Sequence, residues 1–117
     1  MINHYLGDRL QKLNRLLGVE VSKILKSELE LDDETFITVV KADVSPTLEH
    51  AIIWISVFPE FNKETVLQKI NKKIYFLQQI LNKRLVMRPV PKIRFEIDKT
   101  EEGAARIEQL IDNAAKS

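Results

Sequence analysis

The run Ala51-Ile52-Ile53-Trp54-Ile55-Ser56-Val57-Phe58 constrains the fold of this chain more than any other stretch. It is apolar at all but one position, largely β-branched or aromatic, and closed by Pro59, so it reads as a strand over 51–58 that is buried on both faces at the centre of a sheet. A central strand needs partners. Residues 36–45, FITVVKADVS, are equally β-branched and end before Pro46, and in 92–98, KIRFEID, Ile93, Phe95 and Ile97 alternate with Lys92, Arg94 and Glu96.

Helical periodicity fills the rest. Leu10, Leu13, Leu17, Val21, Ile24 and Leu25 recur at three- and four-residue spacing and predict an amphipathic helix over 9–29. Gly18 in its middle disfavours that helix by about 1 kcal/mol relative to Ala, so the helix relies on tertiary packing. The acidic segment Asp32-Asp33-Glu34 is a turn. Asn62 is the predicted cap of the longest element, whose Leu67, Ile70, Ile74, Leu77 and Leu81 form a stripe running towards Leu85 until Pro89 and Pro91 forbid helix. Asp98 or Thr100 starts a short C-terminal helix bearing Ile107, Leu110 and Ile111, and the tail beyond it should fray. The predicted order is α-β-β-α-β-α. The long helical stretch serves as a crossover, so strands two and three are parallel neighbours while strand one pairs antiparallel with strand two. This is an α+β fold with a three-stranded mixed sheet and helices mostly on one face.

At 117 residues the chain is read as one domain, 1–117, with an ordered core over about 9–111. The absence of cysteine excludes a disulfide framework, a thiolate metal site and a thiolate nucleophile, and fits a reducing cytoplasm. No apolar run approaches a membrane span, and the start MINHYLGDRL lacks the charged-then-apolar order of a secretory leader.

Charge is where function first shows. Nine of the eighteen Lys and Arg residues lie between Lys63 and Arg94 against Glu64 alone, a stretch of +8 in a chain of net +1. Residues 32–62 compensate with −5, and 95–117 with −3. Such a block directs an electrostatic face at phosphate, although a solvated helix face reads the same way from charge alone. On a regular helix Lys69, Lys72, Lys73 and Lys83 share an arc beside the apolar stripe. Phe76 falls among them, where a ring can stack on a base. A bend near Ile74 would change the helical phase and carry Phe76 into the core instead, and that is the expectation. Arg84 and Arg88 suit phosphate better, because a guanidinium fork matches two phosphate oxygens and Pro89 holds Arg88 near a turn. Arg9, Lys12 and Arg15 make the first helix basic too, with ordinary surface solvation as the simpler role. Trp54 could be a stacking platform, but in a strand buried on both faces it is structural.

Glu49, Glu60, Glu101 and Glu102 lie at element ends, with no spacing that pairs two carboxylates for acid–base work. His4 and His50 lack ligand partners at metal spacing, and there is no Gly-rich phosphate loop or nucleophile elbow. The residues therefore name no enzyme, no metal and no cofactor.

Set in order, several segments carry a family likeness: Glu20-Val21-Ser22-Lys23-Ile24-Leu25, Ile37-Thr38-Val39-Val40 to Val44-Ser45, Leu48 to Ala51, and above all Arg84-Leu85-Val86-Met87-Arg88-Pro89-Val90-Pro91-Lys92-Ile93-Arg94-Phe95 followed by Asp98. Over residues 9–111 the chain resembles the ribosome-binding factor A family, bacterial small-subunit maturation factors with a KH-type domain. The resemblance implies a type II KH-like fold of order α-β-β-α(α)-β. It also implies a protein that binds the 30S subunit and the 5′ end region of 16S rRNA, assisting maturation while separate nucleases do the trimming. RNA contacts would fall on Lys69, Lys72, Lys73, Lys83, Arg84 and Arg88, with Arg9 and Lys12 on the first helix. The free protein would be a monomer. An interaction module docking an acidic partner, such as a ribosomal protein or an assembly GTPase, is the alternative. Two departures stand out. Lys73-Ile74-Tyr75 occupies the place of the family's Ala-x-Gly helix kink, leaving either a break made by bulkier residues or a more continuous helix, and Ser45-Pro46-Thr47-Leu48 has Thr where the family has Asp.

Overall fold

The computed structural model describes residues 2–99. The leucine stripe places Leu17, Val21, Ile24 and Leu25 on one side of α1 (Ile2–Glu28), all of them buried. The helix begins well before the expected residue 9, because nothing in 2–8 breaks it and a lone Gly7 costs only about 1 kcal/mol. A Cβ built on Gly18 would lie 3.9 Å from Val39 Cγ1, an ordinary contact. Gly18→Ala should therefore stabilise the protein by roughly 0.5–1 kcal/mol, seen as a higher denaturation midpoint at unchanged m-value.

Beyond α1 come β1 (Phe36–Val44), β2 (His50–Phe58), α2 (Lys63–Lys72), α3 (Ile74–Arg84) and β3 (Lys92–Ile97). The sheet order is β1-β2-β3, with β1 antiparallel and β3 parallel to β2, as the element order requires. The predicted C-terminal helix lies outside the described residues. Ala51, Ile53 and Ile55 of β2 pack with Ala42, Val44, Ile93 and Phe95 against the buried residues of the three helices. Ile52, Trp54 and Ser56 point the other way and are only partly buried, which corrects the reading of β2 as covered on both faces. The described helices all use one face. Apolar Ile52 and Trp54 on the other face hid the alternation that would have revealed this. Lys41 Nζ stands 5.7 Å from the Trp54 ring centre on the sheet face opposite the described helices, so a cation lies against the indole, whose Nε1 is itself buried. A register shift between Val39 and Lys41 lifts Val40 to 43% exposure.

Two turns set the strand entries. In the β1–β2 connection Leu48 adopts φ 63°, and the hydroxyls of Ser45 and Thr47 lie 3.1 Å apart, so Thr47 joins the turn's own hydrogen bonding where the family has Asp. Before β1, the Asp32 carboxylate accepts from Thr35 Oγ1 at 2.6 Å and from the Glu34 amide at 3.1 Å. Asn62, expected to cap α2, does not. It ends a short 3-10 turn (Glu60–Asn62), and its Nδ2 donates to Thr35 Oγ1 at 2.9 Å, tying the α2 entry to the Asp32 turn.

The Thr35 hydroxyl holds the Asp32 carboxyl below its ordinary value of 3.8, outweighing the desolvation that acts the other way. A depressed pKa adds stability that is present above the ordinary value and is lost as pH falls through the lowered one. Asp32→Asn should accordingly be less stable than the parent at neutral pH, and the gap should close below about pH 3.8 in urea titrations taken at several pH values.

Candidate nucleic-acid interface

The long helical stretch breaks at Lys73 (φ −103°, ψ 8°), where the family's kink falls. The Lys73 amide bonds Ile70 O at 3.0 Å, a tightened turn, and the Leu77 amide bonds Lys73 O at 2.9 Å to begin α3. Bulkier residues thus make the break without glycine, because the φ of Lys73 is one any residue adopts. One tightened turn alters the helical phase little. Ile70, Leu77 and Leu81 remain buried in a single stripe with Ile74 partly so, and Phe76 stays outside at 49% exposure, contrary to the expectation that the bend would bury it. Tyr75 beside it is 75% exposed. The break therefore presents two aromatic rings next to Lys72 and Lys73. Sequence reasoning passed over Tyr75, although its position just after the break and before Phe76 was a usable signal.

Exposed Lys69 and Lys72 occupy the last turns of α2, and Lys69 also acts electrostatically on Asp32. Lys73 Nζ donates to Glu28 O at 3.1 Å, satisfying a carbonyl at the α1 C-terminus, where a cation is also favoured by the helix dipole. Lys83 is exposed in the last turn of α3. Arg84 reaches Glu20 at 3.1 Å, and Glu20 also lies 3.7 Å from Lys23. With Lys73 at Glu28 and Arg84 at Glu20, α3 runs antiparallel to α1. By helical rise Lys12 and Arg9, both exposed, lie about 12 and 17 Å beyond Glu20 towards the α1 N-terminus. The basic residues thus form a row along the α1–α3 layer, with the aromatic pair at one end, and not a single cluster.

Arg88 is differently engaged: its Nη1 donates to Leu85 O and Met87 O at 2.6 and 2.7 Å, bracing the loop after α3 while the other guanidinium donors remain available for an anion. Gln78 anchors the far end of that loop, donating from Nε2 to Pro91 O at 3.0 Å and accepting the Ile93 amide on Oε1 at 2.8 Å. The basic loop is therefore pinned between α3 and β3. The lowered carboxyl of Asp32 lies in a structural turn, and no group of His, Asp or Glu among the described residues could hold a metal. Across this layer the chemistry available is charge neutralisation and ring stacking.

A mixed three-stranded sheet, helices on one face and a helix pair broken at Lys73 define a small KH-like α+β domain. The sequence matches the family described as Ribosome-binding factor A over residues 9–111, and the chain belongs to that family. It is 34% identical to ribosome-binding factor A of Prochlorococcus marinus (strain MIT 9215), over 96% of this chain and 86% of that one. A solution structure from Thermotoga maritima, assigned as a candidate ribosome binding factor A, is similar with a TM-score of 0.56 and 26% identity over 74% of this chain and 88% of that one. The Thermus thermophilus factor, a homology model fitted into the cryo-EM map of a 30S–RbfA complex, shares the fold at TM-score 0.56 and 22% identity, over 71% and 92% of the two chains.

Proposed function

We propose that this protein binds the small ribosomal subunit in the cytoplasm and assists maturation of 16S rRNA, including its processing, by binding and not by catalysis. The observation that carries the RNA reading is the helix break, where Tyr75 and Phe76 stand exposed beside Lys69, Lys72 and Lys73. Rings that stack on bases among ammonium groups that neutralise phosphate form a surface suited to structured RNA with little base preference. The basic row through Lys83, Arg84, Lys12 and Arg9, with Arg88 on the loop, extends that surface. Family membership and the 30S complex of the Thermus relative support the target.

Tagged protein in a cell extract should sediment with free small subunits and not with whole ribosomes. Its affinity for naked small-subunit RNA should fall steeply with salt. Binding only in the presence of protein would favour instead a module docking an acidic ribosomal protein or assembly GTPase. Replacing both Tyr75 and Phe76 with Ala should cost about 1–3 kcal/mol of RNA affinity per stacked base, measured by filter binding, with little change in thermal stability because both rings are exposed.

A further inference from the structure

Three of the five phenylalanines are exposed around one end of the sheet face opposite the described helices, away from the basic row. Phe36 and Phe58 are direct cross-strand partners, 61% and 69% exposed, and Phe61 in the following 3-10 turn is 83% exposed. A groove of about 390 Å³ runs beside Phe36 and Phe58, lined also by Thr38, Ser56 and Val57 and reaching Ile97 and Asp98. Single exposed apolar residues need no explanation, but an exposed cross-strand ring pair with a third exposed ring three residues further along the chain marks a contact surface.

Its rim decides the partner. Glu60, Asp98 and Lys63 line the groove, with Lys63 drawn to Glu60 at 3.5 Å, and Asp32 and Asp33 line the cleft on the other side of Phe36, so the surroundings of the ring pair are acidic on balance. A polyanion is repelled by such a rim. A second copy docking through the same patch would set these carboxylates against their own counterparts. Basic chains with apolar anchors meet neither penalty. We infer that the Phe36–Phe58–Phe61 patch docks a basic, apolar-anchored peptide segment of a protein partner, leaving the opposite, basic layer free. This goes beyond the RNA reading and does not depend on it.

The test uses the full chain and no RNA. A short fluorescent peptide of alternating Lys and Leu should bind in an anisotropy titration, more weakly as salt rises, while its Glu/Leu counterpart should not. Amide NMR shifts should centre on Phe36, Phe58 and Phe61. Phe58→Ser/Phe61→Ser should weaken binding about tenfold or more, as loss of anchor rings does. Asp33→Lys/Glu34→Lys should weaken it as well without touching an aromatic side chain, which guards against a folding artefact in the first variant. Equal binding of the Glu/Leu peptide, or no loss in either variant, would overturn the inference. So would a concentration-dependent dimer abolished by Phe61→Ser, which would make a second copy the occupant. Nuclear Overhauser contacts from the Phe61 ring to Leu110 or Ile111 would overturn it too, by making the chain's own C-terminal segment the occupant.

Discussion

Lys72→Glu/Lys73→Glu is expected to lower affinity for the small subunit by roughly 10–100-fold at physiological salt while moving the melting temperature little. Two reversals remove two potential phosphate contacts and place two anions beside the exposed rings, so the salt slope should shrink by about 2 as well. Both side chains are exposed, and exposed charges contribute about 0–1 kcal/mol each to folding. The largest structural loss is the Lys73 bond to Glu28 O, a carbonyl that water can satisfy instead. Affinity by filter binding and stability by thermal melting separate the two effects. An unfolded double variant, or undiminished association, would make the break a structural feature and move the interface elsewhere along α1.

Phe95→Ala should do the reverse, destabilising by about 3–5 kcal/mol and weakening binding only through loss of folded protein. Phe95 is 5% exposed in β3, paired with Ile53 of the central strand and facing the helices. Ile53, Ile70 and Leu81 in the same core are fully buried, so the space left by the ring cannot be refilled without moving backbone elements. Urea unfolding followed by circular dichroism should show the midpoint fall. RNA affinity measured well below the new melting temperature should stay close to the parent's, because Phe95 is buried in the core and offers no surface to RNA.

Much of this fold was legible from residue order. β-branched runs closed by Pro46 and Pro59, the stripe from Ile70 to Leu81 and the alternation from Lys92 to Ile97 define the three strands, the crossover through α2 and α3 and the strand pairing, since a helical crossover forces β2 and β3 parallel. The misreadings share a cause. Asn62 looked like a helix cap because local chemistry favours one, yet Thr35, distant in sequence, takes its side chain. Phe76 seemed bound for the core because the phase change at Lys73 could not be sized without the turn itself. Two-face burial of β2 was inferred from apolarity, which does not say on which side the helices lie.

By itself the sequence determined the element types, the strand pairing, the basic block from Lys63 to Arg94 and the family likeness, because periodicity, proline positions and charge are local properties of the chain. Only the tertiary structure decided which charges share a surface. It set Lys73 at the end of α1, matched Arg84 to Glu20 and left Tyr75, Phe76, Phe36, Phe58 and Phe61 in water. Those outcomes depend on contacts between residues far apart in the chain, which pattern along the sequence does not encode.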